Sequence, residues 1–68
     1  MIERWWFSRD GETVVLRSRV EGDDGTIGDA FAEVRPGETA FSLTYQELFD
    51  AEAGVLVIEG ERARIVTP

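Results

Sequence analysis

At 68 residues the chain is about half a usual domain and is read as a single domain spanning residues 1–68. Its 14 Asp and Glu outnumber seven basic residues, all of them Arg, for a formal charge of −7. The absence of Cys excludes a disulfide framework, a thiol nucleophile and a zinc ribbon. The absence of His excludes a Ser-His-Asp triad and imidazole acid–base chemistry.

Hydrophobic residues make up 43% of the chain, too many for a disordered acidic tail. A domain near this size buries only about 60% of its unfolded surface, so a homodimer is a second expected source of stability. A compact chain of this length has a radius of gyration of roughly 11 Å. No apolar run reaches the ~20 residues of a membrane span. No small-residue cleavage site follows the amino-terminal aromatic cluster, so a cytoplasmic location is expected, that of the host cell if the chain is phage-encoded.

Residues 2–8 are apolar and aromatic, the mark of a strand. Asp10-Gly11 is a two-residue hairpin signal for a type I′ turn, and residues 12–20 alternate and are rich in β-branched side chains. Pairing across that turn sets Arg9 opposite Glu12, Phe7 opposite Val14 and Trp5 opposite Leu16, which makes one apolar face. The other face then carries Trp6 and Val15 with Arg4, Arg17 and Arg19, and brings Arg4 opposite Arg17.

The run from Glu21 to Thr26 is turn chemistry, and residues 27–35 read as a third strand. Phe31 dominates one face of it, while Ala30, Ala32 and Val34 form a smaller stripe on the other. Pro36-Gly37 fits the centre of a type II turn, and residues 38–43 read as a fourth strand. Thr44 and Glu47 then form a capping box, with Leu43 and Leu48 as a hydrophobic staple, so a short helix is predicted over about 45–53. Tyr45, Leu48 and Phe49 should face the core, and Gly54 should end the helix in the left-handed conformation. Residues 55–59 and 62–66 read as a second hairpin about a Gly60-Glu61 type II′ turn. It pairs Glu59 with Arg62, Ile58 with Ala63 and Leu56 with Ile65. The expected fold is α+β and mainly β: four strands, a helix and two strands, in a small antiparallel sheet or partial barrel. Trp5 and Trp6 cannot point the same way in one strand, so a single core leaves Trp6 outside.

Charge is uneven along the chain. Residues 1–19 sum to +1, residues 20–61 to −10 and residues 62–68 to +2. An acidic surface of Glu21, Asp23, Asp24, Asp29, Glu33 and Glu38 would attract a basic partner and speed its encounter. The alternative contact face is Arg4, Trp6, Arg17 and Arg19, since Trp and Arg are enriched in interface hot spots. The run from 21 to 29 lacks the alternate acids and closing Glu of an EF-hand loop, so no metal site is assigned. Ser8, Ser18, Ser42 and Tyr45 have no base to activate them, and a chain this short has little room for a sugar cleft, so neither catalytic residues nor a cofactor are assigned.

In size, charge and absent catalytic chemistry the profile resembles the small acidic inhibitors of phages and mobile elements, DNA mimics and anti-CRISPR proteins among them. The resemblance implies a non-enzymatic inhibitor that occupies the basic, nucleic-acid-binding surface of a protein, with carboxylates in place of phosphates and no direct contact to nucleic acid or membrane. Two alternatives stand beside it. One is a small structural or assembly subunit, such as a virion or complex component, that uses the Trp6 face. The other is an antitoxin-like neutraliser of a basic toxin.

Overall fold

A computed structural model describes residues 2–66. In chain order the elements are β1 (Ile2–Asp10), β2 (Thr13–Glu21), β3 (Ile27–Val34), β4 (Thr39–Ala40), β5 (Leu43–Thr44), α1 (Tyr45–Ala51), β6 (Ala53–Glu59) and β7 (Arg62–Val66). Five of the strands form one antiparallel sheet in the order β3-β2-β1-β6-β7, and β4 pairs with β5 in a separate small hairpin. The sheet is open, with β3 and β7 at its edges, so of the antiparallel sheet or partial barrel expected, the structure shows the sheet. Among the described residues no helix is long and apolar enough to cross a membrane.

One face of the sheet is covered. Phe7, Val14, Leu16, Val34 and Leu56 project from it onto Leu43 and Leu48, which come from β5 and the helix. The helix begins where the sequence places it. Thr44 Oγ1 accepts from the Glu47 amide at 3.2 Å, and Leu43 and Leu48 are both buried beside that cap. Its seven residues are too few to hold a helix in isolation, so packing on the sheet sustains it. Arg9 latches the far end. Its guanidinium lies 4.2 Å from the centre of the Phe49 ring and donates to the Phe49 carbonyl at 3.3 Å, where a cation suits a helix C-terminus.

The second hairpin has the expected pairs, Glu59 with Arg62, Ile58 with Ala63 and Leu56 with Ile65, and Gly60 takes φ +62°. The first differs by two residues. Asp10 pairs with Thr13 and Phe7 with Leu16, so Gly11-Glu12 forms the turn. Gly11 at φ +63° leads it, which spares Asp10 the positive φ that a type I′ turn would demand. A slip of two keeps every side chain on its face, so the two faces are those expected. It also sets Trp6, rather than Arg4, opposite Arg17.

Three further expectations are corrected. The helix ends at Ala51, and Glu52, not Gly54, takes the positive φ, at +70°. Gly54 instead lies within β6 directly across from Phe7. A Cβ there would stand 3.2 Å from the Phe7 ring and 3.0 Å from the Val66 carbonyl oxygen, so this glycine admits a close approach. The expected fourth strand is broken into the β4–β5 hairpin by Phe41, whose φ is +57°. That conformation is costly for a bulky residue, and the Phe41 ring is held 5.7 Å from the Trp5 ring. Pro36-Gly37 turns as expected, with the Glu38 amide donating to the Arg35 carbonyl at 2.9 Å and Gly37 at φ +88°.

Candidate interaction surface

The uncovered face of the sheet gathers what the core leaves out. Trp6, opposite Arg17 on one side and Val55 on the other, sits at its centre. Arg17 is in turn opposite Phe31, and Val55 is opposite Val66. A row of five side chains, Phe31, Arg17, Trp6, Val55 and Val66, therefore crosses all five strands. Phe31 is 56% exposed, Trp6 51% and Val66 42%, large apolar surfaces that folding has not buried. Trp5, one residue away, packs against the core. The expectation of one Trp inside and one outside is met, although in an open sheet and not a barrel.

Arginines surround that row. Alternation along the paired strands puts Arg4, Arg17, Arg19, Arg62 and Arg64 on the uncovered face, five of the chain's seven basic residues. Among the described residues only the other two, Arg9 and Arg35, have a carboxylate within 4 Å, at 3.8 Å from Glu52 and 3.2 Å from Glu33. In a chain with twice as many acids as bases, none of these five arginines has a carboxylate within 4 Å among the described residues, although Arg19 and Arg62 lie opposite Asp29 and Glu59 across the ladder.

The β1–β2 ladder stops at Trp6 and Arg17. The next bonded pair would bring Arg4 directly opposite Arg19, and like charges in that position are destabilising. The Arg4 carbonyl accepts from Ser18 Oγ at 2.7 Å in place of a ladder bond. β1 continues with β6 as far as Ile2 and Glu59, while β2 continues with β3 as far as Glu21 and Ile27. The sheet forks there, leaving a groove of about 560 Å3 lined by residues 3–6 and 18–21. The end of the β2–β3 hairpin stands out as an arm, which explains a radius of gyration of 12.2 Å and a long axis of 37 Å against 24 Å and 23 Å.

The six acids singled out in the sequence are strung along this arm and strand and do not form one compact cluster. Asp23 and Asp24 lie in the loop at its tip, Glu21, Asp29 and Glu33 alternate along β2 and β3, and Glu38 lies past the other end of β3. Several are engaged locally. The Thr26 hydroxyl donates to Asp24 at 2.7 Å and the Thr26 amide at 3.2 Å, which holds the Asp24 carboxyl below the usual aspartate range. Asp29 is opposite Arg19, Glu33 binds Arg35, and Glu38 Oε1 accepts from the Arg35 amide at 2.8 Å. Among the described residues no three carboxylates are placed to hold a metal ion. The Tyr45 hydroxyl donates to the Glu12 carbonyl, tying the helix to the first turn.

Phe31, Val55, Val66, Arg62 and Arg64 were missed as members of the Trp6 face, because their place there depends on which strands are neighbours. No protein-family model, curated protein or solved structure matches the chain.

Proposed function

We propose that the chain is a non-enzymatic binding subunit that docks a protein partner on the uncovered face of its sheet, as a small assembly or complex component would. Trp6 and Phe31 are the apolar anchors, and Arg4, Arg17, Arg19 and Arg64 read carboxylates on the partner. The observation that carries this reading is the cross-sheet row from Phe31 to Val66, surrounded by arginines with no carboxylate within 4 Å among the described residues. Trp and Arg dominate interface hot spots because they combine large contact area with directed charge, and truncating such an anchor costs about 2 kcal/mol or more. The fitting partner has an apolar patch edged with Asp and Glu.

A second reading is supported by the arm. Glu21, Asp23 and Asp24 cluster near its tip with no arginine within 4 Å among the described residues. In this reading the chain is an inhibitor whose carboxylates occupy a basic, nucleic-acid-binding protein surface in the host-cell cytoplasm, or neutralise a basic toxin.

Three proteins separate the two: wild type, Trp6→Ala with Arg17→Glu, and Asp23→Lys with Asp24→Lys and Asp29→Lys. Each is used to capture partners from lysate at low and high salt. A partner lost only by the Trp6/Arg17 variant supports the sheet-face reading. A partner lost only by the lysine variant supports the acidic reading and overturns the first. The same partners on all three proteins overturn both.

A further inference from the structure

The two edges of the sheet are treated differently. At the base of the β2–β3 loop the Gly22 amide donates to the Thr26 carbonyl at 2.8 Å. Antiparallel pairs alternate between those that exchange hydrogen bonds and those that do not. The bonded pairs above that loop are therefore Val20–Gly28, Ser18–Ala30, Leu16–Ala32 and Val14–Val34. It follows that the amides and carbonyls of Ile27, Asp29, Phe31 and Glu33 point away from β2 along the free edge. None of them has a hydrogen-bond partner among the described residues.

The opposite edge is shorter and partly engaged. In β7 the outward groups belong to Ala63 and Ile65, and the Ala63 amide donates to Ser42 Oγ at 2.9 Å. β3 carries two of the charges that discourage strand addition, Asp29 and Glu33, but no other such device. It has no Pro and no Lys, and its ladder with β2 is continuous from Val34 to Ile27. Ile27 and Phe31 stand on this edge 67% and 56% exposed.

We propose that two copies of this chain pair through β3, antiparallel about a two-fold axis at Ala30, to form one continuous ten-stranded sheet. Directly opposed residues must share a face and the outward groups must meet each other, which leaves few registers. An axis at Ala30 pairs Asp29 with Phe31 and Ile27 with Glu33, each twice, so all four outward residues of each copy are bonded. An axis at Asp29 sets that carboxylate opposite its own copy, and an axis at Phe31 sets Asp29 opposite Glu33. Each of these also loses one of the four bonded pairs. In the favoured register Glu33 keeps its own cation, Arg35 at 3.2 Å, and Asp29 lies across the ladder from Arg19 without an ion pair within 4 Å. The contact is isologous, so it closes at two copies.

Sedimentation equilibrium and amide exchange on the full chain test the proposal. A concentration-dependent dimer is expected, strengthened by salt because each copy carries −7. Amide exchange at Ile27, Asp29, Phe31 and Glu33 slows as concentration rises, while Ile65 does not change. Asp29→Pro removes an outward amide that β2 does not use, so the fold survives. It weakens the dimer by roughly tenfold or more although it removes a negative charge. Trp6→Ala leaves the dimer intact, which separates this contact from the proposed docking face. A monomer at millimolar concentration overturns the proposal, as does protection at Ile65 instead of β3, or a folded Asp29→Pro variant that dimerises like wild type. If that variant fails to fold, the wild-type exchange pattern decides.

Discussion

Trp5 and Trp6 are identical neighbours in one strand, yet they belong to different parts of the molecule. Trp5 faces the side roofed by the helix and the β4–β5 hairpin, where its ring meets Phe41 and the core. Trp6 faces a side with no roof and remains 51% exposed between Arg17 and Val55. The covered face is composed for burial: Val14, Leu16, Leu48 and Leu56 are essentially inaccessible, and no buried side-chain polar atom lacks a partner among the described residues. The uncovered face mixes large apolar groups with arginines that have no carboxylate within 4 Å among the described residues, a composition that contributes little to stability. Residues that folding does not need are the ones available for recognition.

That contrast is open to attack from both sides. The largest effect is expected from Leu48→Ala, which empties a fully buried site under the helix. It should cost about 2–5 kcal/mol, a large share of the stability of so small a domain, read as a fall in the denaturant midpoint. Gly54→Ala drives a methyl into the Phe7 ring and the Val66 carbonyl, and a loss of about 1–3 kcal/mol is expected in the same assay. Arg9→Ala frees the end of the helix from β1 and should cost about 1 kcal/mol, with faster amide exchange over residues 49–52.

Trp6→Ala should move stability by less than about 1 kcal/mol while weakening the partner complex by roughly 30-fold or more, measured by calorimetry. A large loss of stability from Trp6→Ala would erase the distinction between the faces. The smallest effect belongs to Asp24. Because its carboxyl is held below the usual range, the order it lends the β2–β3 loop is full at neutral pH and is lost as pH falls through that lowered value. Thr26→Val should return the Asp24 titration midpoint, followed by NMR, toward the ordinary aspartate value.

What the sequence made legible follows the range of the interactions involved. The second hairpin was readable to the residue because Gly60-Glu61 supplies an unambiguous turn flanked by alternating strands. The first was readable to its faces but not its register, since Asp10-Gly11 and Gly11-Glu12 are both acceptable turns and differ by an even slip. The cap at Thr44 was plain, whereas the stop at Glu52 was hidden, because a glutamate in the left-handed region is no turn signal. The turn at Phe41 was hidden for the same reason. The pairing of β1 with β6 joins residues far apart in the chain and leaves no local signature. For that reason the open sheet was not separable from a partial barrel, and the row from Phe31 to Val66 was not visible. Clustering of acids along the sequence was likewise no guide to clustering in space, because an extended strand separates what it carries.

The central position of β1 also bears on how the protein forms. Its two neighbours lie at very different distances along the chain: β2 across a two-residue turn, and β6 through pairs such as Trp5 with Leu56. The β1–β2 and β2–β3 hairpins need only short loops and form early, but the sheet is not complete until β6 has been made and has found the far side of β1. Closure of that long loop is expected to limit the folding rate. During synthesis on the ribosome the free side of β1, with Trp5, Trp6 and Phe7, stays open until the segment ending at Glu59 emerges. In that interval the chain is most exposed to mispairing with its own copies or to capture by chaperones.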